Sequence, residues 1–281
     1  MFDNTAQAQR AQLFHRLHRT DPPLVLANVW DAVSARMVVD AGASAVATSS
    51  GGVSWAHGRR DGGNLDLATS SAVLRQIVSN VGDVPVSADI EGGYAQTPRG
   101  VAASVEAVLD IGIVGVNIED SGAPRDSAAA PLYRPEAHAE RIAAARDTAR
   151  RAGVNLFINV RTDVYLLGVG PEADRYDDVV TRARIYREAG ADGLFVPGLL
   201  DLDTLAELSA ATDLPLNAMW LPGAPSPSEL AKAGVARVSI GTALFQATYT
   251  HTKRVAAALL GQGSYEGLDD TMSFGDFNDA F

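Results

Sequence analysis

Eight short apolar runs recur along the chain, each closing on polar residues. They are LVLANVWD (24–31), SAVATSS (44–50), VPVSADIE (84–91), VGVNIED (114–120), LFINVRTD (156–163), GLFVPG (193–198), LPLNAM (214–219) and ARVSIG (236–241). Near-continuous apolar runs of this length read as parallel strands buried on both faces. The stretches between them carry helical spacing, and several end on a small-residue stop: DAGAS, DIGIV, RAGVN, EAGAD, KAGVA. Strand and helix alternating eight times predicts a (β/α)8 TIM barrel, one domain over residues 1–281. An N-terminal helix within 1–22 is expected to close its lower end, and 242–281 to form a C-terminal helical extension.

The carboxyl ends of the strands form the active face of such a barrel. Here they carry Asp31, Asp89, Glu91, Glu119, Asp120, Arg161, Asp163 and Asn217. Asp89 and Glu91 lie two apart, so the period of a strand puts them on one face, where two carboxylates can hold Mg²⁺ directly or through water. A solvated strand end is the alternative for one isolated D-x-E. A second acidic pair, Glu119-Asp120, favours the metal, because so many like charges repel unless a cation or arginine offsets them. Arg161 either grips a substrate carboxylate with two parallel hydrogen bonds or neutralises Glu119 within a structural ion network.

Thr48-Ser49-Ser50-Gly51-Gly52 offers small residues whose backbone N–H groups can approach an anion, or else a tight turn that needs positive φ. The segments 54–66 and 121–141 are long for loops of an α/β unit and are expected to cover the mouth. The first would bring in His57, Arg59, Arg60 and Asp61; the second would carry Arg125, Asp126 and Ser127 at its tip. Asn217 either binds a ligand carboxylate or caps its own turn. Gly241-Thr242 could offer N–H groups to a phosphate. His15, His18, His138 and His251 fall in predicted helices without metal-ligand spacing and are expected at the surface.

Composition removes several chemistries. Without cysteine there are no disulfides, thiolate metal sites or cysteine nucleophiles. The two lysines, Lys232 and Lys253, lie in predicted helices, so a Schiff-base aldolase lacks its amine. A net charge of −11 with no basic stripe argues against a nucleic-acid partner. No leading or long apolar run suggests export or a membrane span, and the expected compartment is the cytoplasm.

The order NVWDAVSAR, ATSSGGVSWAHGRRDGG, VSADIEGGY, VNIEDS, NVRTDVYL, AGADGLFVPG and PLNAMW resembles the isocitrate lyase/phosphoenolpyruvate mutase superfamily over most of the chain. The resemblance implies a barrel whose last helix is swapped with a neighbouring subunit, in homodimers paired into homotetramers. It also implies Mg²⁺, a small-molecule carboxylate substrate and an enolpyruvate-like oxyanion. By motif, Ser49, Ser50 and Gly51 fall where the family binds the pyruvyl oxygens, and Asp61 matches the acid of the flap after strand 2. Asp89, Glu91 and Glu119 match the carboxylates around the metal. Arg161 matches the arginine at the reacting portion, and Asn217 an asparagine near the substrate carboxylate. With Arg161, Asp61 and Glu119 as catalytic residues, the expected activity is a Mg²⁺-dependent C–C lyase.

Departures from the family's pattern narrow that activity. The Lys-Arg-Cys-Gly-His loop of isocitrate and methylisocitrate lyases is replaced by Pro124-Arg125-Asp126-Ser127-Ala128. A serine hydroxyl is far too weak an acid to stand in for that thiol near neutral pH. The lysine of phosphonomutase loops is absent there too, and strand 6 ends in Val196-Pro197-Gly198 where relatives carry histidine or glutamate. Retro-aldol cleavage or decarboxylation of a small 2-oxo or 2-hydroxy dicarboxylate fits best. Cleavage of a P–C bond, or a barrel that binds carboxylates without turnover, are the alternatives.

Overall fold

All eight apolar runs form strands in the computed structural model, which describes residues 4–63, 65–121 and 131–281. The strands are β1 (Leu24–Leu26), β2 (Val46–Ala47), β3 (Val86–Asp89), β4 (Gly115–Glu119), β5 (Phe157–Arg161), β6 (Gly193–Phe195), β7 (Leu216–Met219) and β8 (Val235–Ser239). They are parallel, in the order β1-β8-β7-β6-β5-β4-β3-β2. A single parallel bridge, Val29 to Thr48, joins the two ends, with Val29 N–H donating to Ala47 and Ser49 N–H to Val29, both at 2.9 Å. Asn28 latches the same seam. Its Nδ2 donates to Thr48 O, and its Oδ1 accepts from the N–H groups of Ile240 and Gly241. The result is a (β/α)8 barrel.

The helices are α1 (Asn4–Leu17), α2 (Ala32–Asp40), α3 (Ser50–Ala56), α4 (Leu67–Asn80), α5 (Pro98–Leu109), α6 (Pro135–Ala152), α7 (Arg175–Glu188), α8 (Leu202–Ala211), α9 (Pro227–Lys232), α10 (Ala243–Gln262) and α11 (Phe274–Asp279). Their starts are written in short polar caps: Asp66 bonds Thr69 N–H, Thr97 bonds Gly100 N–H, and Ser226 with Glu229 makes a reciprocal capping box. The small-residue stops work as expected. Gly153 ends α6 at φ +72, the left-handed conformation that a side chain resists.

As expected, α1 plugs the lower end. Phe14 is buried edge-on to Phe157 and presses on Gly115, where a Cβ would come within 2.5 Å of its ring. His18 stacks on Phe157 at 3.8 Å. The surface expectation is thus wrong for two histidines: His18 and His138 are buried, because an aromatic ring can pack as core, His18 with Nδ1 bonded to Phe14 O and His138 between Tyr133 and Tyr186. His15 is partly buried, and His251 lies at the surface.

The barrel interior is unusual in its middle layer. Asn117, Asn159, Asn217, Arg237 and Ser239 point inward where branched apolar residues ordinarily dominate. Asn159 Nδ2 donates to Asn117 Oδ1 at 2.9 Å and Asn217 Oδ1 at 3.0 Å. At the other extreme, α10 and α11 bury no residue at all.

Candidate active site

Glu119 and Arg161 end neighbouring strands and are register partners, so their side chains reach the mouth together. Arg161 Nη1 lies 3.0 Å from Glu119 Oε2. On its other edge the same guanidinium makes a two-pronged pair with Asp163, Nε to Oδ1 at 2.6 Å and Nη2 to Oδ2 at 3.0 Å. Ser121 Oγ donates to Asp163 from the loop after β4. Burial pushes the Glu119 carboxyl up to about 8, Arg161 opposing and Asp163, Asp89 and Glu91 reinforcing. Burial pulls Arg161 downward, yet Glu119 and Asp163 overcome it and hold the guanidinium above its ordinary range. The arginine is therefore permanently charged, and Glu119 is the group whose proton can move.

Asp89 ends β3 on the adjacent side. Its Oδ2 accepts from Ser50 Oγ at 2.8 Å and its Oδ1 from Glu91 N–H at 3.2 Å. Glu91 stands outside the strand, at φ +51 in the turn that follows. It shares the mouth with Asp89 because the chain turns left-handed there; the strand-period reason is corrected. Its Oε2 accepts from Gly63 N–H, which docks the segment after α3 onto the site. Asp61, on the same segment, lies against Gly51: a Cβ built on Gly51 would sit 3.2 Å from the Asp61 carboxyl carbon and 2.8 Å from the Thr242 methyl. The mouth thus gathers Ser50, Gly51, Asp61, Asp89, Glu91, Glu119, Arg161 and Asp163.

The profile of the family described as phosphoenolpyruvate phosphomutase matches residues 14–260. The chain belongs to this family. Its members sit within the isocitrate lyase/phosphoenolpyruvate mutase superfamily of lyases and mutases that act on carboxylates or phosphonates, generally with Mg²⁺. A solved structure of a provisionally assigned phosphonomutase from Burkholderia cenocepacia J2315 is 41% identical, covering 92% of this chain and 100% of that one, with a TM-score of 0.82. The uncharacterized protein Rv1998c of Mycobacterium tuberculosis is 35% identical over 240 residues, 83% of each chain. An oxaloacetate decarboxylase of Bradyrhizobium is 30% identical over 201 residues, 70% of this chain and 65% of that one.

For a member of the phosphoenolpyruvate phosphomutase family, the donor set at the mouth is apt. Asp89, Glu91 and Glu119 are hard oxygen ligands, which Mg²⁺ prefers. Among the described residues, however, no three acidic or histidine side chains converge to cage an ion. Mg²⁺ ordinarily keeps several waters and takes one or two carboxylates, and the residues fit that mode.

Other expected residues went elsewhere. Asp120 turns to the outer side of the strand, where Arg182 Nη1 at 3.0 Å and Tyr186 OH at 2.9 Å donate to its Oδ2. It takes no part in the mouth's negative charge, since adjacent strand residues face opposite ways. Asp31 caps α2 through Ser34 N–H at 2.7 Å. Ser49 caps α3, accepting from Gly52 N–H at 3.2 Å, so the glycines after it are helical rather than in a turn of positive φ. Asn217 is enclosed in the interior layer, where its Nδ2 donates to Arg237 O and Ser239 Oγ. The N–H of Gly241 is spent on Asn28, which removes the phosphate reading. His57 ends α3, and it, Arg59 and Arg60 are exposed.

Pro124, Arg125, Asp126, Ser127 and Ala128 lie outside the described residues. The helix α6 begins at Pro135, inside the segment 121–141 expected to be loop. Lys232 and Lys253 lie in α9 and α10, away from the strand ends. No described helix is long and apolar enough to cross a membrane. Sequence reasoning missed Asn28, Asn117, Asn159 and Arg237. The signal was present: Asn117 and Asn159 lie two residues before Glu119 and Arg161, in the same inward phase.

Proposed function

We propose that the protein is a Mg²⁺-dependent lyase that cleaves a C–C bond beside the carbonyl of a small 2-oxo or 2-hydroxy dicarboxylate, by decarboxylation or retro-aldol cleavage. The observation that carries this reading is the guanidinium of Arg161, buried between Glu119 and Asp163 at a mouth otherwise lined by carboxylates and hydroxyls. Breaking such a bond leaves an enolate, and charge arranged in advance around a developing oxyanion is the strongest lever a site has. Asp89, Glu91 and Glu119 would hold Mg²⁺, which when bound supplies positive charge for that oxygen. Arg161 orients one carboxylate of the substrate, Ser50 holds Asp89 in place, and the segment through Asp61 and Gly63 shuts water out. Glu119, whose carboxyl burial raises to about 8, gives up its proton when the cation binds, and so serves the metal rather than the enolate carbon. Decarboxylation suits this site because bond breaking itself asks for no separate acid.

Calorimetric titration of oxalate, a planar dianion shaped like the pyruvate enolate, tests the reading. Binding that requires Mg²⁺ and is lost in Glu91→Gln supports it, and turnover is then sought with a panel of 2-oxo and 2-hydroxy diacids. Absence of binding with and without Mg²⁺ overturns it. The similarity to the Burkholderia phosphonomutase favours one second reading, P–C bond chemistry, which ³¹P spectra of phosphonopyruvate incubated with the protein would reveal.

The barrel also reads as one subunit of a dimer or tetramer with exchanged helices. The 20-residue α10 buries nothing, Leu260 and Phe274 are each 86% exposed, and the outward-facing Val25 of β1 is 48% exposed. Beside Val25, a groove of about 750 Å³ runs between residues 18–25 and 227–236, apolar along Pro22, Pro23 and Val235. The α10 helix of a second copy would fill it. Light scattering should give a dimer or tetramer that Leu260→Glu dissociates; a monomeric parent protein would end the idea.

A further inference from the structure

Arg237 is the odd member of the interior layer. It sits on β8 facing the barrel axis, fully buried. Its Nε donates to Ser239 Oγ and its Nη2 to Asn117 Oδ1, both at 3.2 Å, while Nη1 has no partner among the described residues. No carboxylate reaches it among the described ion pairs. Burial draws its pKa down to about 9, so it is still a cation at neutral pH, and Asp89 is the charge that opposes this fall. An isolated charge inside a protein is costly, and two long bonds to neutral groups do little to offset it. The interior position ordinarily goes to a branched apolar side chain.

Its compensation lies one layer up. Asn117, which Arg237 touches, is the register partner of Asp89 and stands two residues before Glu119 on the same inward face. A step of two residues along a strand is roughly 7 Å. At that separation one unit charge acts on another with about 2 kcal/mol at an effective dielectric of 20, or more than tenfold in affinity. Among the described residues the mouth gathers five carboxylates, Asp61, Asp89, Glu91, Glu119 and Asp163, around the guanidinium of Arg161. A dianionic acid entering there meets negative charge, which a divalent cation lowers from above and Arg237 from below. Without Arg237 the loaded mouth is more negative by one charge.

We propose that Arg237 is a specificity-determining residue: a buried cation beneath the mouth that favours dianionic acids over monoanions and moderates the hold on Mg²⁺. This rests on the function proposed above. It acts through the field, without touching the ligand, and that gives it a signature that packing lacks. Removing the charge should move the affinities for cation and anion in opposite directions.

The experiment is calorimetry of the parent protein, Arg237→Gln and Arg237→Lys with Mg²⁺ alone, then with oxalate and with pyruvate in saturating Mg²⁺. R237Q should bind Mg²⁺ about tenfold more tightly and oxalate about tenfold more weakly, with a smaller loss for pyruvate. R237K should stay near the parent. Parallel weakening of Mg²⁺ and oxalate in R237Q, or no change in either, overturns the proposal while leaving the proposed function standing. A parent protein that takes up neither probe overturns both. Should R237Q not fold, Arg237→Met replaces it; failure of both neutral variants with R237K folded makes the charge a requirement of folding and overturns the assignment.

Discussion

Glu119 and Arg161 meet at 3.0 Å across neighbouring strands, and the same arginine grips Asp163 from its other edge. The guanidinium is thus the hinge of the charged mouth. Replacing it with methionine strands two buried carboxylates, and breaking a buried pair from one side costs about 3–5 kcal/mol. Arg161→Met should lower stability by that order in urea unfolding and abolish Mg²⁺-dependent oxalate binding. Arg161→Lys keeps the charge without the planar fork, so it should fold well and still lose at least about tenfold in oxalate affinity. Unchanged oxalate binding in R161K would remove the proposed grip on substrate.

Neighbours in sequence should behave as opposites. Asp120 is a structural acid tied to Arg182 and Tyr186, whereas Glu119 is a mouth acid. Asp120→Ala should destabilise by about 3 kcal/mol, the low end for a broken buried pair, since Arg182 loses its buried acid and keeps only the half-exposed Asp178, with Mg²⁺ affinity unaltered in the protein that remains folded. Glu119→Gln imitates the protonated carboxyl that burial already favours, so its stability cost should be small while Mg²⁺ affinity falls. In the parent, Mg²⁺ competes with the Glu119 proton, and affinity should rise with pH up to about 8. Calorimetry in buffers of different ionisation enthalpy measures the released proton; none released would remove Glu119 from the cation site.

That contrast shows what the chain made legible. The eight runs, their order and the small-residue stops follow from burial and local sterics, which act on short stretches and leave a periodic trace. Arg161 and Asp89 were readable because they end strands. Glu91 came out at the mouth for a different reason than strand period, since a left-handed turn after β3 leaves no composition signal in a non-glycine residue. The sense of Asp120 depended on strand phase, and its partners on α7 lie more than sixty residues away. Asn217, Ser49 and Asp31 have residue types that suit a ligand or a cap equally, and only contacts decide between those roles. Arg237 hid within an apolar run, where one charge reads as an exception rather than as a floor beneath the site.

Gly51 offers a test of the segment over the mouth. Its place in α3 is helical, so alanine there gains helix propensity, roughly 1 kcal/mol over glycine. Space works the other way: the new Cβ would meet the Thr242 methyl at 2.8 Å and the Asp61 carboxyl at 3.2 Å. Overpacking of this kind costs about 1–3 kcal/mol, and here it is relieved by pushing the Asp61 segment outward. Gly51→Ala should therefore weaken oxalate binding more than it lowers the melting temperature. Thr242→Ser, which removes the methyl, should restore part of the binding in the double variant. Full oxalate affinity in Gly51→Ala would show that Asp61 does not have to lie against the helix.

Mild acid should weaken the fold through two buried histidines. Burial holds both His18, under the barrel, and His138, behind the Asp120 network, down to about 3. In the unfolded chain each regains an ordinary value near 6.5. Both are neutral in either state above that pH, so their full stability is present at pH 7 and higher. As the pH falls below about 6.5 the unfolded chain takes up two protons that the folded barrel refuses, and stability declines until the folded values near 3 are reached. The slope is on the order of 2–3 kcal/mol per pH unit for the pair, and the proton that folded Glu119 keeps below about 8 offsets roughly half of it. Urea midpoints measured between pH 6.5 and 5 should still fall in the parent and fall about twice as steeply in Glu119→Gln, while His138→Gln should remove most of the parent's decline. A stability of Glu119→Gln that holds level down to pH 5 would mean that these rings already carry protons in the folded protein.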